Sequence, residues 1–398
     1  MPIRATKRGD ERTPLDGERD VLICGASFAG LAVARELAGA GADVLVLDRY
    51  EIGERQTSAC GIPTEWLERL GLMAAERQRF DTLVMHTPHG TSRYRLPWTF
   101  STFDYRELCQ LLWRDCDATF ETAKVNGRAA PTNGSGQVAV ETDRGTISAP
   151  LVVDALGWRR MLASGDGYQP PDAPLSRGLE VHPGGESEDL AIWIDRKYVP
   201  AGYGWSFPAG DELRIGIGSF DPRFHVKETT VELTHDLGKE PNEYQGNWIP
   251  HKLRRATEGG VFFTGDSAGH CLPLSAEGIR TALYFGMALG QELRGVVEGR
   301  QSRAEAEASY AAFHDTHEWK FKWMLRVQKL IPRVPPRILA PLIRLMANRR
   351  FVDWSFSHYL EIAPPSYVES ADNQEGPGQK QGDAKQAHRA DRDLVQAE

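Results

Sequence analysis

Apolar positions cluster early in the chain into two short runs, VLIC at Val21–Cys24 and VLVL at 44–47. Between them lie a glycine-punctuated turn and a stretch with helical spacing. Runs of this length bounded by glycines read as buried parallel strands, so residues 21–49 predict strand, tight turn, helix and second strand. APLVVDAL at 149–156 and VFFT at 261–264 repeat the buried-strand pattern, and Gly278 predicts the start of a helix running to about Val297. Other segments alternate. Residues 81–103 read as a hairpin turning at His89 and Gly90, and 118–149 as meander strands with turns at Asn126–Gly127 and at 133–136. Residues 190–220 read as strands joined at 208–211. Helical spacing recurs at 64–72, at 104–113 with Asp104 as N-cap, and at 302–350, where Pro332, Pro335 and Pro336 break it.

These periods predict an α/β chain: a Rossmann-like dinucleotide-binding domain with an inserted antiparallel β-sheet substrate domain and C-terminal helices. The first domain is expected to be discontinuous, over 19–80, 102–165 and 255–300. The second takes 81–101 and 166–254, and the helical region 301–367. Residues 1–18 and 368–398 carry charge without apolar periodicity and are expected to be a disordered arm and tail, and prolines at 170–174 mark a linker.

Composition narrows the partners. A net charge of −8 argues against general nucleic-acid binding. No apolar run reaches membrane-spanning length and the first twenty residues are not signal-like, so a cytoplasmic location is expected. Five cysteines without a CxxC pair point to reduced thiols. No metal-ligand spacing and no GxSxG elbow is present. From Trp319 to Arg350 the chain has many lysines and arginines and no acid. Two readings stay open for it: a peripheral contact with an anionic membrane, or a helix packed on its own domain with a solvated basic face.

The candidate chemistry starts at the first turn. Gly25, Ser27 and Gly30 occupy the three positions of a GxGxxG fingerprint, with serine where the middle glycine usually lets the backbone approach a pyrophosphate. The helix that opens there offers free N–H groups to an anion. Asp48 ends the second strand, within reach of ribose hydroxyls. Asp154 with Gly157, and Gly265 with Asp266, end two further strands beside this cradle. Arg106 lies in the first turn of its helix, where a guanidinium could reach phosphate oxygens. There is no second GxGxxG unit.

Together the cradle, the strand ending in Gly265 and Asp266 with PLSAEGI behind it, and the Arg106 helix resemble flavin adenine dinucleotide (FAD) enzymes of the para-hydroxybenzoate hydroxylase-like group. Within that group, RQTSACG at 55–61 and YGWSFPAGDELRIGIG from Tyr203 resemble the geranylgeranyl reductase family. The resemblance covers about residues 19–300. It implies FAD contacts at Gly25, Ser27, Phe28, Ala29, Gly30, Asp48, Arg49, Cys60, Gly61, Arg106, Val125, Asp154, Gly157, Gly265, Asp266, Pro273, Gly278 and Ile279. It further implies a substrate cavity lined by Tyr203, Trp205, Phe207 and Pro208, and a catalytic proton donor at Cys60. Three positions depart from the family pattern: Ser27, Ala276 before the glutamate of PLSAEGI, and Ile62 after Gly61.

The implied activity is reduction of C=C bonds in an isoprenoid, such as a prenyl lipid, or another apolar substrate. The alternative is an FAD-dependent monooxygenase acting on an aromatic or apolar small molecule, and a flavin-bearing electron carrier is a further rival. NAD(P)H or a ferredoxin would serve as electron donor. Neither leaves a motif, so a redox protein partner stays open.

Overall fold

Val21–Cys24 is buried along its whole length, as an unbroken apolar run requires of a central parallel strand. The computed structural model describes residues 13–56, 58–129, 136–163 and 174–368. Val21–Cys24 pairs in parallel with Val44–Asp48 on one side and Leu151–Asp154 on the other. Thr119–Thr122 and Val261–Phe263 extend the parallel sheet at its two ends, with Thr257–Glu258 antiparallel at one edge.

Helix Phe28–Glu36 packs along the long helix Ile279–Val297. The approach is close: a Cβ on Gly286 would stand 2.6 Å from the Ala29 carbonyl oxygen and 2.8 Å from Ala32 Cβ. Ala29 lies beside Gly286 and Glu36 beside Gly290, so the two helices run parallel and both N-termini face the same end of the sheet.

A second sheet of eight strands carries the order Gln245–Pro250, Leu175–Val181, Leu213–Ser219, Gly202–Pro208, Leu190–Trp193, Glu76–Thr87, Gly90–Phe103 and Gly61–Pro63. Its pairings are antiparallel except that Leu190–Trp193 runs parallel to Glu76–Thr87. The expected hairpin is present, but its strands are longer than the alternation suggested. The sheet therefore takes in Gly61–Pro63 and 76–80, which were expected in the nucleotide domain.

Two further expectations change. Residues 13–18 are not a loose arm: Leu15 is buried and its N–H donates to the Arg144 carbonyl at 2.8 Å, and Gly17–Glu18 pairs in parallel with Gly145–Ala149. Asn126 and Gly127 lie inside strand Val125–Arg128, where a shift of register against Val138–Thr142 absorbs the glycine in place of a turn. The expected turn at 133–136 and linker at 170–174 lie almost wholly outside the described residues, as do the first twelve residues and the tail from 369.

The C-terminal region forms helices Arg303–Asp315, Glu318–Leu330, Pro336–Met346 and Arg349–Leu360, with a 3-10 turn at Ile331–Arg333 where the prolines fall. Among the described residues no helix is long and apolar enough to cross a membrane.

Candidate functional site

The cradle is shaped by what cannot fit in it. A side chain on Gly25, at φ 113°, would collide with the Ala155 carbonyl, and one on Gly30 with the Gly25 carbonyl. Ser27 is the N-cap of the Phe28–Glu36 helix, yet its hydroxyl makes no cap; it pairs with the Tyr105 hydroxyl at 3.1 Å. The serine is thus turned aside, and among the described residues no side chain caps the first-turn N–H groups of Phe28, Ala29 and Gly30, all in buried residues. Uncapped donors at a buried helix end suit a bound anion such as a pyrophosphate. Phe28 is fixed edge-on by Phe103 and Tyr105.

Asp48 reaches back to the same loop, accepting from Ala26 N–H at 2.9 Å and from Tyr50 N–H at 3.1 Å. Burial raises its carboxyl above the ordinary value, against the lowering effect of those bonds. Arg49 is exposed over the Tyr50 ring, 4.7 Å from its centroid. Val125 is buried just past Ala123, whose N–H donates to the Asp48 carbonyl. Arg106 is exposed, and its backbone lies so near Gly53 that a Cβ there would stand 2.8 Å from Arg106 Cα.

Asp154 departs from its expected role. Its carboxylate accepts from Ser267 Oγ at 2.6 Å, Leu156 N–H at 3.0 Å and Leu162 N–H at 2.8 Å. The side chain is wholly buried and spent on tying two strand ends together, and Gly157 adds its carbonyl to the same serine. Asp266 differs. Among the described residues its carboxylate takes no side-chain hydrogen bond, and a Cβ on Gly278 would stand 3.6 Å from it. Burial pushes its carboxyl up to about 6. Gly265, at φ 61°, abuts Ala29, joining this strand end to the cradle helix. Gly278 begins the long helix without a side-chain cap, and Ile279 is buried behind it. Pro273 is held through its carbonyl by Gln328 Nε2.

The second sheet faces this end through alternate residues of Gly202–Pro208. Tyr203, Trp205 and Phe207 are part-exposed on one face, while Gly204, Ser206 and Pro208 are buried on the other. The period of two thus removes Pro208 from the expected lining. Trp205 lies flat over a floor of glycines: a Cβ on Gly216 would enter its ring, and one on Gly218 would stand 3.4 Å away. Tyr203 donates to the Ser275 carbonyl in the PLSAEGI loop. Phe207 meets Phe100 edge-on, and the Phe100 ring occupies the space a side chain on Gly61 would need.

Cys60, at φ 54°, is buried and its thiol donates to the Ser58 carbonyl at 3.1 Å. Burial pushes that thiol well up, outweighing the guanidinium of Arg214. The thiol is therefore protonated, and a poor thiolate nucleophile.

Several residues that hold the site together had no motif to announce them. Arg214 is buried and donates to the Ala59 and Phe103 carbonyls, both at 3.0 Å, pinning the Cys60 loop to the second sheet. In the sequence it stands on the glycine side of the alternating strand Leu213–Ser219, opposite Ile215 and Ile217, so nothing in the pattern marks it as buried. On the same face of the sheet, Glu180 accepts from Trp205 Nε1 at 3.1 Å and pairs with His182 Nε2 at 3.0 Å. Burial lowers the His182 imidazole, and Glu180 and Glu212 overcome that and raise it to about 9. Glu277 is doubly paired with buried Arg280, at 2.7 and 2.9 Å.

A family model described as lycopene cyclase protein matches residues 20–190. Digeranylgeranylglycerophospholipid reductase 3 of Methanosphaera stadtmanae is 24% identical over 386 residues, covering 87% of this chain and 95% of its own. Among solved structures, a geranylgeranyl bacteriochlorophyll reductase-like protein from Thermoplasma acidophilum superposes with a TM-score of 0.75 at 15% identity, covering 90% of this chain and all of its own. A probable FAD-dependent monooxygenase from Pseudomonas aeruginosa gives 0.65 at 17% identity, covering 82% of this chain and all of its own. Fold, cradle and relatives together define an FAD-dependent oxidoreductase. Within that class the chain is similar to proteins named as geranylgeranyl and digeranylgeranylglycerophospholipid reductases, which favours reduction over oxygenation.

Proposed function

We propose that this protein reduces carbon–carbon double bonds in a prenyl chain, carried on a lipid or a similarly apolar molecule. The observation that carries the reading is the aromatic face: Trp205 laid on Gly216 and Gly218, with Tyr203 and Phe207 on either side, tied to the loops around the cradle by Tyr203 at Ser275 and by the neighbouring Arg214 at Ala59 and Cys60. An apolar wall of that kind binds a substrate without polar handles and excludes water from it.

FAD, when bound, supplies a hydride equivalent from a two-electron reduced ring. The N–H groups at Phe28, Ala29 and Gly30 would hold its pyrophosphate and Asp48 its adenosine ribose. Gly25 and Gly30 supply the close backbone approach, and Arg49 and Val125 flank the adenosine end. Arg106 would reach the phosphate or ribityl oxygens. Asp266, Pro273, Gly278 and Ile279 would line the distal part, where the helix N-terminus favours negative charge. Cys60, kept protonated by burial beside Gly61, is the candidate proton donor to the substrate carbon. Electrons come from NAD(P)H or a ferredoxin.

The test is anaerobic incubation of the reduced holoprotein with prenyl lipids, followed by mass spectrometry. Gain of hydrogen pairs by the lipid with flavin reoxidation is expected. Substrate-dependent oxygen uptake with a hydroxylated product, and no reduced lipid, would overturn the reading in favour of a monooxygenase. Cys60→Ser is expected to slow turnover while leaving flavin affinity and the absorption spectrum unchanged, and an unaltered rate removes Cys60 from the chemistry.

A further inference from the structure

Helix Glu318–Leu330 buries Phe321, Met324 and Gln328 and turns the opposite stripe outward. On that stripe, at spacings of four and seven residues, stand Trp319, Trp323 and Leu330, exposed by 65, 57 and 57%. Arg326 lies between them, and Lys322 and Lys329 run along one side. Helix Pro336–Met346 repeats the arrangement. Ala340 and Ile343 face inward, Ile338, Leu342 and Leu345 face outward, and Arg337 and Arg344 flank them. Trp354 is exposed on the next helix. Among the described residues, the large hydrophobic side chains that stand exposed all belong to this region except Tyr244.

Charge identifies the occupant. Residues 319–352 carry nine lysines and arginines and no acid, in a chain whose net charge is −8. Outward tryptophans and leucines beside lysines and arginines suit the boundary between acyl chains and anionic head groups, where indole rings and long cationic side chains both find their media.

We infer that the outward stripes of helices Glu318–Leu330 and Pro336–Met346 dock on an anionic lipid surface. Helix Glu318–Leu330 and the last helix, Arg349–Leu360, are fastened to the loop at the substrate sheet. Gln328 holds the Pro273 carbonyl, and Tyr359 bonds with Ser275 and Glu277. Docking therefore brings the loop that meets the aromatic face towards the lipid from which an apolar substrate would be drawn. The docking itself stands on the surface alone and does not depend on the reaction proposed above.

The experiment uses the full FAD-loaded chain and vesicles of phosphatidylcholine with or without phosphatidylglycerol, read by co-sedimentation. Binding to the anionic vesicles, reversal by high salt and a blue shift of tryptophan emission are expected. The combined variant Trp319→Ser, Trp323→Ser, Leu342→Ser is expected to weaken vesicle binding by about tenfold or more. Tyr244→Ser is expected to leave it unchanged. These positions are exposed, and retention of the flavin spectrum and melting temperature shows that each variant is folded. Failure of the wild type to sediment with anionic vesicles overturns the proposal, as does unchanged affinity in the combined variant. A wild-type dimer in sedimentation velocity that the variant lacks, without vesicle binding, overturns it in favour of a second copy as occupant.

Discussion

Two non-glycine residues beside the site are held in left-handed backbone, Cys60 at φ 54° and Ala276 at φ 53°. A Cβ in that region crowds the neighbouring carbonyl oxygen at a cost of about 1–2 kcal/mol, which glycine avoids. Ala276 stands where the family pattern has glycine, and the backbone shows why that pattern prefers it. Ala276→Gly relieves the crowding and adds freedom to the unfolded chain, for a net gain of about 0.5–1 kcal/mol. The denaturation midpoint of the variant checks this, and a midpoint below wild type would contradict it. Ser27 illustrates the opposite solution. Its hydroxyl is drawn off to Tyr105, so a family departure at the cradle leaves the anion-facing N–H groups free.

Between elements, the Gly265 loop is clamped to the C-terminal region by histidines. Gly265 N–H donates to His270 Nδ1 at 3.1 Å, so the proton of that ring sits on Nε2, which donates to His314 Nδ1 at 2.9 Å. The relay requires His270 to be neutral. Burial lowers it well below the ordinary range, assisted by His314 and His317. Burial likewise brings His314 and His317 to about 4, from an ordinary value of 6.5. The unfolded chain thus takes up protons at these positions as pH falls below 6.5 while the folded chain does not. Their contribution is fully present above that pH and is lost as pH falls through about 4. Melting temperature is expected to decline over that window, with flavin released at the acid end. His314→Gln is expected to flatten the decline while keeping a bond to His270. A pH profile identical to wild type would show that these imidazoles do not set it. No sequence motif could signal this clamp, because its partners lie 44 residues apart.

For the molecule as a whole, what was legible depended on how local the cause was. The tight turn at Gly25 and the close helix approach at Gly30 were readable because strand end, turn and helix start lie within a few residues of one another. The helix from Gly278 to Val297 announced itself by its apolar run. Asp154 read as a ligand-facing acid, and its carboxylate is taken by the Leu156 and Leu162 N–H groups and by Ser267, more than a hundred residues away. Arg214 and Arg280 were invisible for the same reason: a buried guanidinium acquires its meaning from carbonyls contributed by distant segments. Arg280 makes this measurable. It is fully buried, paired with Glu277, and donates to the Leu360 and Ala363 carbonyls at 2.9 Å each, fastening the last helix to the loop that meets the cavity. Arg280→Met strands the Glu277 carboxylate and the two carbonyls in a dry site, at a cost of about 3–5 kcal/mol. The double variant Arg280→Met, Glu277→Gln restores charge balance and is expected to recover part of that loss, since the uncompensated charge carries most of it. Chemical denaturation of the four proteins gives the coupling directly. If the double variant is as unstable as the sum of the singles, the carbonyl contacts to residues 360 and 363, not the ion pair, hold the C-terminal helices against the flavin domain.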